Sequence, residues 1–135
     1  MLKRLVEEKK KLLVTIGVVV LALVVLLIVV FSNLSNSLDY KAIGKWESQI
    51  QYLKSYGAET YRIVKLNSDG SAVRLLINAN AGTILEVEKG SWMVSGLNIV
   101  VVRELEYGTY PMEYQYDFFT DTLKNGSNVY RKTGN

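Results

Sequence analysis

Leu12-Leu13-Val14-Thr15-Ile16-Gly17-Val18-Val19-Val20-Leu21-Ala22-Leu23-Val24-Val25-Leu26-Leu27-Ile28-Val29-Val30-Phe31 is a run of twenty residues without a charge, seventeen of them Val, Leu, Ile or Phe. As a helix rising 1.5 Å per residue it reaches roughly 30 Å, the thickness of a bilayer's hydrocarbon core. Insertion of such a run is favourable by roughly 5 to 10 kcal/mol, which Thr15 and Gly17 do not reverse. It reads as a membrane span. It divides the chain into a basic arm over residues 1–11, the span over 12–31, a linker over 32–39 and a domain over 40–135.

Charge is distributed around this span in a way that sets its direction. The pI near 9.0 belongs to the arm, where Lys3, Arg4, Lys9, Lys10 and Lys11 face only Glu7 and Glu8. Five of the sixteen basic and two of the thirteen acidic residues lie there, so the remaining eleven of each cancel. A neutral domain lacks the electrostatic footprint of phosphate-backbone binding, and nucleic acid is rejected as a partner. Only Lys41 and Lys45 stand within fifteen positions after the span, so the positive-inside rule puts the N-terminus in the cytoplasm and the domain outside. The expected location is the cell membrane, single-pass, with membrane lipid as the first partner. A cleavable signal peptide is the main rival. Its apolar region is usually shorter, and Ser35 and Ser37 make a poor cleavage site. The chain has no Cys, which removes disulfides and lipoprotein attachment.

The linker Ser32-Asn33-Leu34-Ser35-Asn36-Ser37 is made of side chains that compete with backbone helix bonds. Beyond Tyr40 come short runs rich in β-branched and aromatic residues, punctuated by Gly, Asn, Asp and Ser. They cover residues 43–52, 59–66, 71–77, 83–89 continuing through 92–94, 97–107, 112–119 and 128–132, with Asn67-Ser68-Asp69-Gly70 as a hairpin turn. Connections this short pair sequence neighbours antiparallel, as a meander. Alternation assigns the inward faces: Val73, Leu75 and Ile77; Leu85 and Val87; Leu97, Ile99, Val101 and Leu105; Met112, Tyr114, Tyr116 and Phe118. With no amphipathic helix to cover these faces, the sheet must close. The expectation is an all-β, up-and-down antiparallel β-barrel of seven or eight strands after one N-terminal transmembrane helix.

Gly44-Lys45-Trp46 on the first strand resembles the G-x-W signature that opens lipocalin-like (calycin-type) barrels. Asn67-Ser68-Asp69-Gly70-Ser71 is similar to the D-G-[ST] hairpin of small bacterial domains of this kind. Gly90-Ser91-Trp92-Met93-Val94-Ser95-Gly96-Leu97 resembles their G-x-W-x-x-x-G-x-L repeat, and Val129-Tyr130-Arg131 their closing strand. The likeness covers about residues 43–132. It implies that Trp46 packs at the closed end with Arg131 laid across it, a cation–π contact that closes the barrel.

Little chemistry is on offer. Without His or Cys, the commonest nucleophile–base pairs and transition-metal sites are missing, and no cofactor, metal or enzymatic activity is expected. Glu86 with Glu88, or Glu104 with Glu106, has the spacing of a carboxylate pair, but reads as the solvated face of its strand. Asn67, Asp69 and Ser71 begin like a calcium loop and fail at Ala72 and Asn78. Trp92, Tyr114, Tyr116 and Phe118 line either a filled core or a cavity. Arg103 falls on the apolar phase of its run, where its charge needs a partner or a polar cavity unless a bulge turns it outward. Large inward side chains fill a small barrel. The sequence therefore points to a non-enzymatic interaction or accessory subunit of an envelope assembly, with a protein partner or its own copies. The alternative is a membrane-tethered binder of a small apolar ligand.

Overall fold

Leu2–Ala42 form a single α-helix, α1, in the computed structural model, which describes residues 2–134. Contacts divide the chain into two compact units, residues 1–34 and 35–135. Within the first, the part of α1 over residues 12–31 carries no charge on any face, with a mean hydropathy of 3.5 over the helix's most apolar window and none of that window buried. A helix of this length and composition can cross a membrane.

Residues 32–39, expected as an irregular linker, are helical. Leu38 and Ala42, four apart on one helix face, are buried in the core of the second unit. The Ser35 hydroxyl donates to the Gly96 carbonyl at 2.8 Å. Burial of this face overrides the weak helix propensity of Ser and Asn.

The rest of the second unit is strand. Among the described residues these are β1 (Gly44–Ser48), β2 (Gln51–Leu53), β3 (Ala58–Leu66), β4 (Ser71–Asn78), β5 (Ile84–Ser95), β6 (Asn98–Leu105), β7 (Gly108–Asp117), β8 (Thr122–Asn125) and β9 (Asn128–Gly134). Every neighbouring pair from β3 to β9 is antiparallel in chain order. β1 pairs β9 on one side and β3 on the other, which closes a barrel of eight strands; β2 is the extra strand, paired with β3 past the break in β1. The barrel predicted from the hydrophobic pattern is therefore present. The runs at 83–89 and 92–94 form one strand, β5, and residues 122–125 add β8.

The inward phase of two strands differs from the expectation. On β4, Ala72, Arg74 and Leu76 are buried, while Val73 and Leu75 lie on the outer wall; a bulge after Leu76 then leaves Ile77 buried. On β5, Glu88 takes the inward place expected of Val87, which is 53% exposed. The register explains the exchange, since Val64, Arg74 and Glu88 lie side by side across three strands. A charge on that face is tolerated because its partner lies beside it. On β6 and β7 the expected stripe holds at Ile99, Val101, Tyr114 and Tyr116, which are buried, while Leu105, also expected inward, is exposed at the end of β6.

Candidate functional site

The two ends of the barrel differ in chemistry. At one end the last turn of α1 enters the core, and two of its orphan C-terminal carbonyls are capped by side chains. Trp46 Nε1 donates to the Ala42 carbonyl at 2.9 Å, and Lys132 Nζ donates to the Lys41 carbonyl at 3.0 Å. Lys132 Nζ also lies 5.8 Å from the Trp46 ring centroid. The cation over the tryptophan is thus Lys132 and not Arg131, which is exposed on the opposite face of β9 and pairs in register with Glu47. Gly44 permits this closure. A Cβ there would lie 2.6 Å from both the Gly134 carbonyl oxygen and the Lys132 side chain, and φ is +140°.

Two of the predicted aromatic residues, Tyr116 and Phe118, pack with Trp46 at this same end. Tyr116 stands edge-on to Trp46 at 6.3 Å and to Phe118 at 4.5 Å. Its hydroxyl donates to the Asp121 carboxylate. Trp92 is half-buried, and its Nε1 donates to the Asn67 carbonyl at 2.8 Å, pinning the β3–β4 turn. Trp46, Tyr116 and Phe118 pack edge to face.

The opposite end is polar. Arg62, Arg74, Glu86, Glu88, Arg103 and Tyr130 are prominent in the lining of a cavity of about 290 Å³, with Met112, Asn125 and Asn128 completing it. Three guanidinium groups thus face two carboxylates. Glu88 serves two of them: its Oε2 lies 2.5 Å from Arg74 Nη1 and 3.5 Å from Arg103 Nη1. Arg74 is 8% exposed, Arg103 21% and Glu88 22%. Glu86, at the rim, accepts a 2.5 Å hydrogen bond from the Tyr56 hydroxyl. Among the described residues, the buried Nε atoms of Arg74 and Arg103 have no hydrogen-bond partner. Gly90, directly across from Arg103, brings no side chain into this space, and a Cβ there would lie 2.0 Å from the Val102 carbonyl oxygen.

Tyr114 forms the floor under the arginines. It is fully buried, its ring edge-on to Tyr130 at 5.5 Å, and its hydroxyl donates to Met112 Sδ at 3.0 Å. Burial pushes its pKa up to about 12, against the opposing pull of Arg74 and Arg103. A group whose folded pKa lies above its unfolded value supports the fold fully below the unfolded pKa. That support is lost as pH rises through the folded one. The barrel should therefore lose on the order of 2–3 kcal/mol between about pH 10 and pH 12. Alkaline denaturation curves of the wild type and Tyr114→Phe check this, the variant showing the shallower decline.

Sequence reasoning put Arg103 on the apolar phase of its run and favoured a bulge that turns it outward; the register is unbroken there, and Arg103 instead faces the cavity, where its partner is Glu88. It missed Arg62 and Arg74 as site residues and read Glu86 and Glu88 as the solvated face of their strand, whereas both line the cavity. The available signal was the pairing distance: Arg74 and Glu88 lie fourteen apart around one hairpin, so a common inward phase would bring them together. Among the described residues, no cluster of His, Cys, Asp or Glu could hold a metal ion. Comparison with known proteins finds no matching family model, no similar curated protein and no similar solved structure.

Proposed function

We propose that this is a non-enzymatic, single-pass membrane protein, N-terminus inside, whose lipocalin-like barrel docks on another protein of the same membrane surface as an accessory subunit. The observation that carries the reading is an apolar row on the outer wall. Leu75 and Val87 lie side by side across β4 and β5 on the outer wall, Leu75 half-buried and Val87 53% exposed, and Ile84 on the same strand as Val87 is 57% exposed; Ile63, next to Leu75 on β3, is buried. Sheets usually turn such residues inward, and apolar side chains left exposed together on one wall mark an interaction surface. Confinement to one membrane raises the effective concentration of a partner, so a small patch suffices. The orientation rests on the five basic residues of the arm. The lipocalin-like assignment rests on Gly44 and Trp46 at the barrel's closed end, with Lys132 in the role the resemblance gives to Arg131.

The test places a photocrosslinking residue at Val87 of the full-length protein in its native membrane. One reproducible adduct is expected, lost in Leu75→Lys without a change in the melting of the barrel. Equal labelling from a probe at Arg131, on another wall, would sink the reading.

The apolar-ligand alternative needs an apolar cavity inside the barrel, and Trp46, Tyr114, Tyr116 and Tyr130 occupy that space. Tyr116→Trp distinguishes the two. In a filled core it overpacks and costs about 1–3 kcal/mol in chemical denaturation, whereas a cavity would accept it with little loss.

A further inference from the structure

The arginine-lined end of the barrel carries more positive charge than its own carboxylates neutralise. Arg62, Arg74 and Arg103 converge on one cavity, and the two carboxylates there are already engaged, Glu88 by Arg74 and Arg103 and Glu86 by the Tyr56 hydroxyl. Buried donors normally find acceptors, and guanidinium donors most of all, because leaving one unpaired costs more than an ordinary hydrogen bond returns. Yet the Nε–H groups of Arg74, at 8% side-chain exposure, and of Arg103 are buried without an acceptor among the described residues. An arrangement that served only to hold the fold would match its charges. This one leaves a positive charge in excess, two free donors and room of about 290 Å³.

We propose that this mouth binds an oxyanion, the carboxylate or phosphate group of a small ligand, with Arg74 and Arg103 as the principal donors and Arg62 at the rim. The chemistry fits the forked geometry of guanidinium, which pairs with planar carboxylate or phosphate oxygens through parallel N–H bonds. The cavity lies at the lower end of the range of small-molecule sites, enough for the anionic head of a ligand. Glu88 is then the internal competitor. Its carboxylate holds both arginines in place in the absence of ligand and opposes the incoming charge. The proposal stands apart from the outer-wall docking surface, which lies on the other face of the sheet.

The arginine Nε–H groups are themselves the readout. Nitrogen-15 NMR of the full-length protein in phosphatidylcholine nanodiscs, titrated with inorganic phosphate or malonate at constant ionic strength, should show saturable shifts of the Arg74 and Arg103 Nε–H signals. Glu88→Gln should tighten binding by about tenfold, Arg103→Met should weaken it by at least that factor, and Arg131→Gln should leave it unchanged. A second arm uses nanodiscs containing phosphatidylglycerol. Shifts that are already saturated there before any phosphate is added identify a lipid headgroup as the source of the oxyanion; otherwise the source is a free solute. Shifts that grow linearly without saturating, or that are the same in Arg103→Met as in the wild type, would overturn the proposal.

Discussion

Trp46→Ala should destabilise the barrel by about 3–5 kcal/mol, the largest single loss expected of any residue in the chain. The ring is fully buried, meets Tyr116 edge-on, lies under Lys132 and caps the end of α1 through its indole N–H. Alanine leaves a cavity among groups that are themselves wedged between strands and helix, so relaxation cannot fill it. It also orphans the Ala42 carbonyl in the core, which alone costs about 1–3 kcal/mol. Trp46→Phe separates the two contributions, because it keeps most of the volume and loses the donor. Urea denaturation followed by far-ultraviolet circular dichroism measures both. A loss below about 1 kcal/mol for Trp46→Ala would mean that the ring is not the keystone its surroundings suggest.

Glu88→Ala should cost about 3 kcal/mol, for a different reason. It leaves Arg74 buried without its carboxylate, and breaking one side of a buried pair costs more than the pair itself contributes. Arg103 also loses its partner, though at 21% exposure it retains some access to water. The double replacement Arg74→Met with Glu88→Leu removes the stranded charge along with its partner and should recover most of the loss. A double mutant as unstable as Glu88→Ala would show that the carboxylate acts through something other than Arg74.

Both residues bear on what could be read without coordinates. The Trp46 end was legible because Gly44-Lys45-Trp46 is a short local pattern, and the glycine and the tryptophan each have a steric reason to be there. Three of the turns were legible too, at Asn67-Ser68-Asp69-Gly70, Ser95-Gly96 and Asn125-Gly126, but the run 43–52 breaks into β1 and β2, and β7 begins at Gly108, where 112 was expected. The phase of β4 was not. In Ala72-Val73-Arg74-Leu75-Leu76-Ile77 both faces are largely apolar, so alternation cannot choose between them. The choice depends on Glu88, which lies on the next strand. Arg131 and Lys132 pose the same problem one residue apart: either cation could have met Trp46, and the shift in register between Lys45 and Trp46 brings β9 alongside so that Lys132 does. The helical course of 32–42 was hidden because local propensity opposed it. Only the burial of Leu38 and Ala42 against strands far along the chain reveals why it is helical.

The seam between β1 and β9 has a kinetic meaning. It joins Lys45 to Gly134 and Trp46 to Lys132, the most sequence-distant pairings of the barrel, while every other seam joins strands no more than two apart in the chain. Hairpins such as β3–β4 can form as soon as their residues emerge, but the ring cannot lock until β9 has been synthesised and delivered. Until then β1 has one edge open, Lys132 is not yet at the end of α1, and the nascent barrel carries an unpaired strand edge of the kind that seeds aggregation. β9 therefore acts as a latch, and the time spent waiting for it is the interval in which the barrel is most vulnerable.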